Sequence, residues 1–439
     1  MSLAVIATIV SSFATILLYL LSFLLIWQFV GYPCLMSLVA LRSHPKPKDY
    51  TFQPFVSIII PAYRESHVLE SRLKNLLLLD YPDDKYEIIV VASASNGDTA
   101  AVVEHVKKEH YPRDVQITLL EEKERRGKAS AVNLGKRHAR GEITLVTDAN
   151  AVFDQAVLKE LMPHFKDPKV GAAGGRYVVK NPHTKLTSST QLYWNIEYLM
   201  RLGESAFFSA CLTHGEMTAW RKELAEADPN KISDDLSICI GVRRQGYKIA
   251  YAPDAIVYEE APTISKEQIM QRKKTTIGTL EVLFGNLGYL LVPADLYRLV
   301  IFPSHKTLWM LSPFFLLAIL PLYLVLSDIP AILLHMGLSL SVFVLLFLSL
   351  RQINSILNPG SHGRHGFSPR SLINTIYYVI LNEYIVVAGW IDFVFRRYSL
   401  LWDIVETNRP LKNGDVPTEA GSDATNIRAS TSSIKSTDK

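Results

Sequence analysis

The sequence predicts an α/β domain built on a mostly parallel sheet and held between membrane-crossing helices. Three observations carry that expectation. Short β-branched runs alternate with amphipathic stretches between residues 55 and 147, turn residues close each run, and long uncharged stretches lie on both sides of this charged middle.

Leu3 to Tyr32 carries no charged residue. A helix rises about 1.5 Å per residue, so this stretch crosses a hydrocarbon core of about 30 Å with tilt. It is too long for the apolar core of a signal peptide and has no basic residue ahead of it. Arg42, Lys46 and Lys48 follow, which orients the middle of the chain to the cytoplasm. FVSIIIPAY (55–63) then reads as a strand stopped by Pro61, and ESHVLESRLKNLLLL places Val68, Leu69, Leu73, Leu76 and Leu77 on one helical face. YEIIVVA (86–92) is a second strand, and TAAVVEHVKKEH a second helix with Asp98 as its cap. QITLL (116–120), KASAVNLGKRHA and EITLVT (142–147) continue the alternation.

Apolar runs return at about 308–328, 330–350 and 372–395. Two crossings bring the chain back to the cytoplasm near Arg351, Arg364 and Arg370, whereas another leaves Arg396 and Arg397 outside. Either Ser371 to Phe395 is re-entrant or interfacial, or the charge bias is weak at this end. The expected organisation is a membrane helix and basic linker over 1–42, the α/β domain over 43–285, interfacial helices over 286–307, membrane helices over 308–398 and a largely disordered polar tail over 399–439.

The net charge of +4 is small and its excess flanks the apolar segments, so lipid headgroups account for it and nucleic acid is not implied. Three cysteines, Cys34, Cys211 and Cys239, have no metal-ligand spacing and read as small apolar residues.

A parallel sheet binds ligands beyond the C-terminal ends of its strands. That rule gathers PAYRE (61–65), ASASNGD (92–98), ERRGKAS (124–130) and TDAN (147–150) on one edge. Arg125, Arg126 and Lys128 flank Gly127 at a helix start, where free N–H groups and the helix dipole favour an anion such as a diphosphate. The bland alternative is a solvated basic loop. Asp148 and Asn150 project to one side of an extended segment and could reach one cation, or could equally form a turn.

In this order the loops resemble membrane-embedded family 2 glycosyltransferases, a group that includes polysaccharide synthases, over roughly residues 50–285. The resemblance implies a GT-A, Rossmann-like cytoplasmic domain that binds a nucleotide-sugar. PAYRE is similar to the family's Pro-Ala-Tyr-Asn-Glu opening, which implies that Ala62, Tyr63 and Glu65 border the nucleoside. Ser93 stands where the family carries an acid that reads the base. RGKASAVN (126–133) resembles the Gly-Lys-Ala-x-Ala-x-Asn element, with Lys128 facing the diphosphate. TDAN occupies the place of the Asp-x-Asp motif, implying Mg2+ or Mn2+ on Asp148, with Asn150 a weaker ligand or a ribose contact.

Downstream, ISDDLSICIGVRRQGYKIAYAPDA (232–255) resembles the stretch carrying the family's Thr-Glu-Asp motif. Asp235 is then the general base and Asp234 takes the place of the Glu; their alternative is an acidic helix start capped by Ser233. HGEMTAWRKEL (214–224) resembles a segment lining the donor or acceptor pocket, with Glu216 and Trp220 as acceptor-side candidates, or an exposed acid and a core aromatic. Gly175, after Gly174, resembles a glycine beside the sugar site, though a turn explains it too. QRKKTT (271–276) keeps Gln271 of the processive members' Gln-x-x-Arg-Trp but has Lys274 for the Arg and Thr275 for the Trp. Losing that stacking platform weakens the case for a growing chain held in a channel. Gln271 and Arg272 remain candidates to support the site, and the basic cluster 272–274 either closes over phosphate or meets the membrane surface.

The chemistry implied is inverting transfer from a UDP-sugar or similar donor to a lipid-linked or glycan acceptor at the bilayer, one or a few sugars at a time. The alternative is a catalytically silent nucleotide-sugar-binding scaffold, which Ser93, Asn150 and Thr275 would permit.

Overall fold

The computed structural model describes residues 3–43, 47–94, 97–109, 114–181, 185–326, 329–357 and 369–401. Lys46, Arg364 and the tail beyond 401 lie outside the described residues, as do Ser95 and Asn96 of the second loop.

Helices α1 (Leu3–Ile26) and α2 (Tyr32–Arg42) join through a π-helical turn at Trp27–Gly31. The domain follows as β1 (Val56–Ala62), α3 (Ser66–Leu77), β2 (Tyr86–Ser93), α4 (Asp98–Glu109), β3 (Gln116–Glu122), α5 (Lys128–His138) and β4 (Ile143–Val146). Its second half runs β5 (Val152–Phe153), α6 (Val157–Leu161), β6 (Val170–Val179), α7 (Lys185–Phe207), β7 (Thr218–Arg221), α8 (Asp234–Arg244), β8 (Lys248–Glu259) and α9 (Ser265–Gly285). A short α10 (Leu287–Leu290) leads to α11 (Leu308–Leu326), α12 (Ile329–Leu357) and α13 (Pro369–Val394).

The eight strands form one sheet in the order β3-β2-β1-β4-β7-β6-β8-β5. The β1–β4 half is parallel, as its continuous apolar runs require of strands covered on both faces. Alternation sorts those runs: Ile58, Ile60, Ile88 and Val90 enter the core under α3, whereas Ile59, Ile89 and Val91 pack with Ala131 of α5. In the second half β7 is antiparallel to both β4 and β6, so the sheet is mixed although mostly parallel.

Two helices among the described residues are long and apolar enough to cross a membrane, Val5–Arg42 and Tyr297–Leu326. Ile9, Phe13, Ile16, Leu20 and Phe23 stand exposed on the first, a surface suited to lipid. Buried polar contacts fasten both helices to the domain: Tyr32 of the first donates to Glu204 of α7 at 2.6 Å, and His305 of the second pairs with Glu204 at 2.6 Å and with Glu197 at 3.2 Å. The end of α13 packs on α9, where Lys273 meets Asp392 at 2.6 Å and the Phe284 and Trp390 rings lie 5.6 Å apart. Arg396 and Arg397 therefore sit beside the α/β domain, the side on which Arg42 also ends.

Candidate active site

At the C-terminal edge of β4 the strand stops at Val146, and Ala151 N–H donates to the Asp148 carbonyl at 3.3 Å. TDAN is thus a turn, and the alternation rule that placed Asp148 and Asn150 on one side of an extended segment does not apply. The two side chains have different partners. Asp148 pairs with the Lys128 ammonium at 2.7 Å, whereas the Asn150 amide nitrogen donates to Glu259 at 2.7 Å.

Lys128 opens α5 because Gly127 before it adopts φ +92°, a left-handed conformation that side chains resist. Its ammonium also lies 3.6 Å from Asp234 and 3.4 Å from the Gly215 carbonyl. Burial alone would lower its proton affinity, but Asp148 and Asp234 raise it well above the usual lysine range. The chain beyond α13 reaches this loop: a Cβ on Gly127 would lie 3.8 Å from the Leu400 carbonyl and from Leu401.

Asp234 and Asp235 start α8, but they do different things. Asp234 is 4% exposed, faces Lys128, and its Oδ2 has no hydrogen-bond partner. Burial first, then Asp235 and Asp148, push its carboxyl up to about 6 against the pull of Lys128. Asp235 accepts from the Ser233 hydroxyl at 2.6 Å and from Leu236 N–H at 2.8 Å through one oxygen. Ser233 occupies the cap position, yet its hydroxyl serves Asp235 rather than the helix backbone. The sequence reading gave Asp234 a lesser place than its geometry does.

Glu216 lies on the far side of Lys128, with His214 Nδ1 at 3.1 Å; against burial, His214 holds it down to about 2. Glu259, at the end of β8, is buried, and burial, Glu216 and Asp148 push it well above the usual carboxylate range. Beneath the turn, Arg72 is fully buried and donates to Thr147 Oγ1 at 2.7 Å; burial pushes its guanidinium down to about 9, with Asp148 acting the other way. Lys274 of α9 also borders the site, pushed down by burial and by Lys128 and drawn up by Asp148, Asp234 and Asp235.

The remaining sequence candidates divide. Ala62 ends β1 opposite Ala92, and Tyr63 follows with the Arg125 guanidinium 3.8 Å from its ring centre. Glu65 stands at the start of α3, its carboxylate 3.4 Å from Tyr63 N. Ser93, at the end of β2, donates to Glu122 at 2.7 Å. Gly175 is inside β6 rather than in a turn; a Cβ there would lie 2.1 Å from the Ala255 carbonyl, so close approach of β8 explains it, and its own carbonyl meets His214 Nε2 at 2.9 Å. Trp220 is a correction: it is fully buried within β7, its indole N–H donating to the Ala225 carbonyl at 3.1 Å, because alternation turns it to the core. Arg272 is tied to Asn382 of α13, and Gln271, on α9, carries the carbonyl that accepts the Thr275 hydroxyl at 3.2 Å.

Glu259, Glu122, His214 and Arg72 were not named as site residues from the sequence, and Lys274 was named there only within the basic cluster 272–274. Glu259 had a signal, an acid pair closing the apolar run AIVY. Glu122 had none, since it follows a strand in a run of charged residues.

The donor set suits a hard divalent cation: Asp148 is half-buried, and Asp234 offers an unbonded, buried carboxylate oxygen 3.6 Å from the same ammonium. The group Glu70, His105 and Glu109 on α3 and α4 has ligand-like spacing, but Lys74 already bridges both acids at 2.7 and 2.9 Å.

Comparison with known proteins gives the same picture. The chain is 29% identical over 258 residues to the probable glycosyltransferase YdaM of Bacillus subtilis, covering 56% of this chain and 60% of that one. It is 26% identical over 234 residues to the poly-beta-1,6-N-acetyl-D-glucosamine synthase of Staphylococcus aureus, covering 52% and 55%. The chain thus spans less than two thirds of either relative. Among solved structures, the mannosyltransferase PcManGT from Pyrobaculum calidifontis, in complex with GDP-Man and Mn2+, superposes with a TM-score of 0.62 at 25% identity, covering 87% of this chain and all of that one. The family model described as "Glycosyltransferase like family 2" matches residues 53–277, just over half of the chain, and the protein belongs to that family.

Proposed function

We propose that this protein transfers a sugar from a nucleoside-diphosphate sugar to a hydroxyl or phosphate acceptor at a membrane surface, with inversion, in polysaccharide or glycoconjugate biosynthesis. The observation that carries the reading is the Lys128 ammonium set between Asp148 and Asp234 at the start of α5, on the ligand-binding edge of the sheet. In this reading the leaving diphosphate meets Lys128 and the free N–H groups of α5. An acceptor hydroxyl approaches from the α8 side and gives its proton to Asp235 as its oxygen bonds the anomeric carbon and the bond to phosphate breaks. Asp235 is suited to this because its first oxygen is fixed by Ser233 and Leu236 N–H. Asp148, with Asp234, would hold Mg2+ or Mn2+, which would supply positive charge beside the departing diphosphate. The Mn2+ and GDP-Man in the similar mannosyltransferase support both the donor class and the cation.

Glu216, paired with His214, lies on the side from which the sugar or acceptor would be contacted. Basic residues at Arg42, Arg396 and Arg397 beside the domain favour a cytoplasmic placement of the site, with the two apolar helices in the membrane.

Purified protein offered labelled nucleotide-sugars with Mn2+ should turn one over, and Asp235→Asn should lower turnover by about 10²–10⁴ while keeping donor binding. Donor binding with no turnover of any donor by the unmodified protein would favour the silent scaffold instead.

A further inference from the structure

We infer that Glu122, at the end of β3 and gripped by the hydroxyls of Ser93 on β2 and Ser130 on α5, reads the base of the donor nucleotide and selects guanine. The inference rests on the nucleotide-sugar reading above and names the donor within it.

The strand order fixes where a base must lie. From β4 outward the edge carries Asp148, then Ala62 and Tyr63 on β1, Ser93 on β2 and Glu122 on β3. The diphosphate end is set by Lys128 and Asp148. On one side of that point stand Asp234, Asp235, Glu216 and Glu259, the ground the reacting sugar needs. The nucleoside therefore extends the other way, over the ends of β1, β2 and β3.

Ser93 has no carboxylate to offer a base, but the sheet register sets it directly beside Glu122. The Ser93 hydroxyl donates to Glu122 Oε2 at 2.7 Å, and the Ser130 hydroxyl of α5 donates to Oε1 at 2.9 Å. Ala94 N–H further fixes the Glu122 backbone carbonyl at 3.0 Å. A carboxylate has about four acceptor positions, so each oxygen keeps acceptor capacity after one serine bond. Ser93 is buried, whereas Glu122 and Ser130 are partly open.

Two neighbouring acceptors on one plane match two neighbouring N–H donors. Guanine presents such a pair, N1–H beside the exocyclic N2–H. Uracil presents one N–H between two carbonyl oxygens, and both serine protons that could answer those carbonyls are already spent on Glu122. Adenine and cytosine each set an acceptor beside their amine, which the carboxylate repels. This departs from the uridine donor that the family resemblance suggests.

The test is calorimetric titration of the detergent-purified full chain, with Mn2+, against GDP, IDP, UDP and CDP. IDP is guanine's analogue without the exocyclic amine. The unmodified protein should bind GDP about tenfold or more tighter than IDP or UDP, the size of one paired contact. Glu122→Gln, which turns an N–H toward the base, should abolish the GDP over IDP preference, leaving pyrophosphate binding unchanged. Ser93→Ala, a milder change, should reduce that preference without unfolding the protein. Equal affinity for GDP and IDP in the unmodified protein, or a preference for UDP, overturns the inference and leaves the glycosyltransferase reading intact. So does Glu122→Gln weakening all four ligands alike, which would make Glu122 a tie between β2, β3 and α5. A protein that binds none of the four overturns the donor reading itself.

Discussion

Replacing Lys128 by Met should separate the two roles its ammonium plays, and the two effects have opposite signs. Lys128 lies 2.7 Å from Asp148 and 3.6 Å from Asp234, with its side chain 28% exposed. At an effective dielectric constant near 20, unit charges about 4 Å apart attract by about 4 kcal/mol, so the gross attraction here is about 10 kcal/mol. Most of that is offset by the cost of bringing three charges out of water. Removing one member of a buried pair typically costs about 3–5 kcal/mol, and partial exposure reduces the expected loss to about 2–3 kcal/mol. For a domain of this size that is a fall in Tm of about 5–10 °C. Left without their ammonium, Asp148 and Asp234 should bind Mn2+ more tightly, so the cation should restore more of the lost Tm than it adds to the unmodified protein. Nucleoside-diphosphate binding should weaken by about 10–100-fold through loss of a charge-assisted hydrogen bond. Thermal unfolding with and without Mn2+, together with calorimetry of the diphosphate, measures all three. An unchanged Tm with unchanged Mn2+ affinity would show that the three charges are not energetically coupled, and the site as drawn would be wrong.

Other outcomes follow from the same geometry. Asp148→Ala should abolish Mn2+-dependent donor binding and Asn150→Ala only weaken it, read by donor titration; equal, mild losses would return TDAN to a plain turn. Trp220→Ala should cost about 3–5 kcal/mol in denaturant unfolding, whereas a residue lining the pocket would change KM with little loss of stability. Burial pushes His164 down to about 4, so it is neutral in the fold while the unfolded chain protonates near 6.5. Its contribution is therefore present above pH 6.5 and is lost as pH falls to about 4, by up to about 3 kcal/mol. His164→Leu should flatten the stability profile across that window.

Much of the site was legible because it is local. The loops PAYRE, RGKAS and TDAN each follow a strand, and a parallel sheet brings strand ends together whatever else the chain does. Asp148 and Lys128 were named for that reason, whereas the Asp234–Asp235 pair was named from the resemblance of its stretch to the family's motif. Trp220 stayed open between a pocket lining and a core aromatic because nothing in TAWR says that both faces of its strand are covered, as they are at Ala219 and Trp220. That Arg396 and Arg397 lie next to the α/β domain was not legible, because packing of α13 on α9 sets it and no charge count records packing.

The sequence by itself determined the alternation of strands and helices, the apolar helices around them and the basic helix start at Lys128, since each follows from periodicity or composition over a short window. Only the tertiary structure decided that Asn150 serves Glu259, that Asp234 faces Lys128 while Asp235 is held by Ser233, and that Glu122 comes to lie beside Ser93. Apart from the local Ser233–Asp235 bond, those pairs join residues on different elements, some more than a hundred positions apart, and their partners are chosen by the tertiary packing and the order and register of the sheet, which no local pattern encodes.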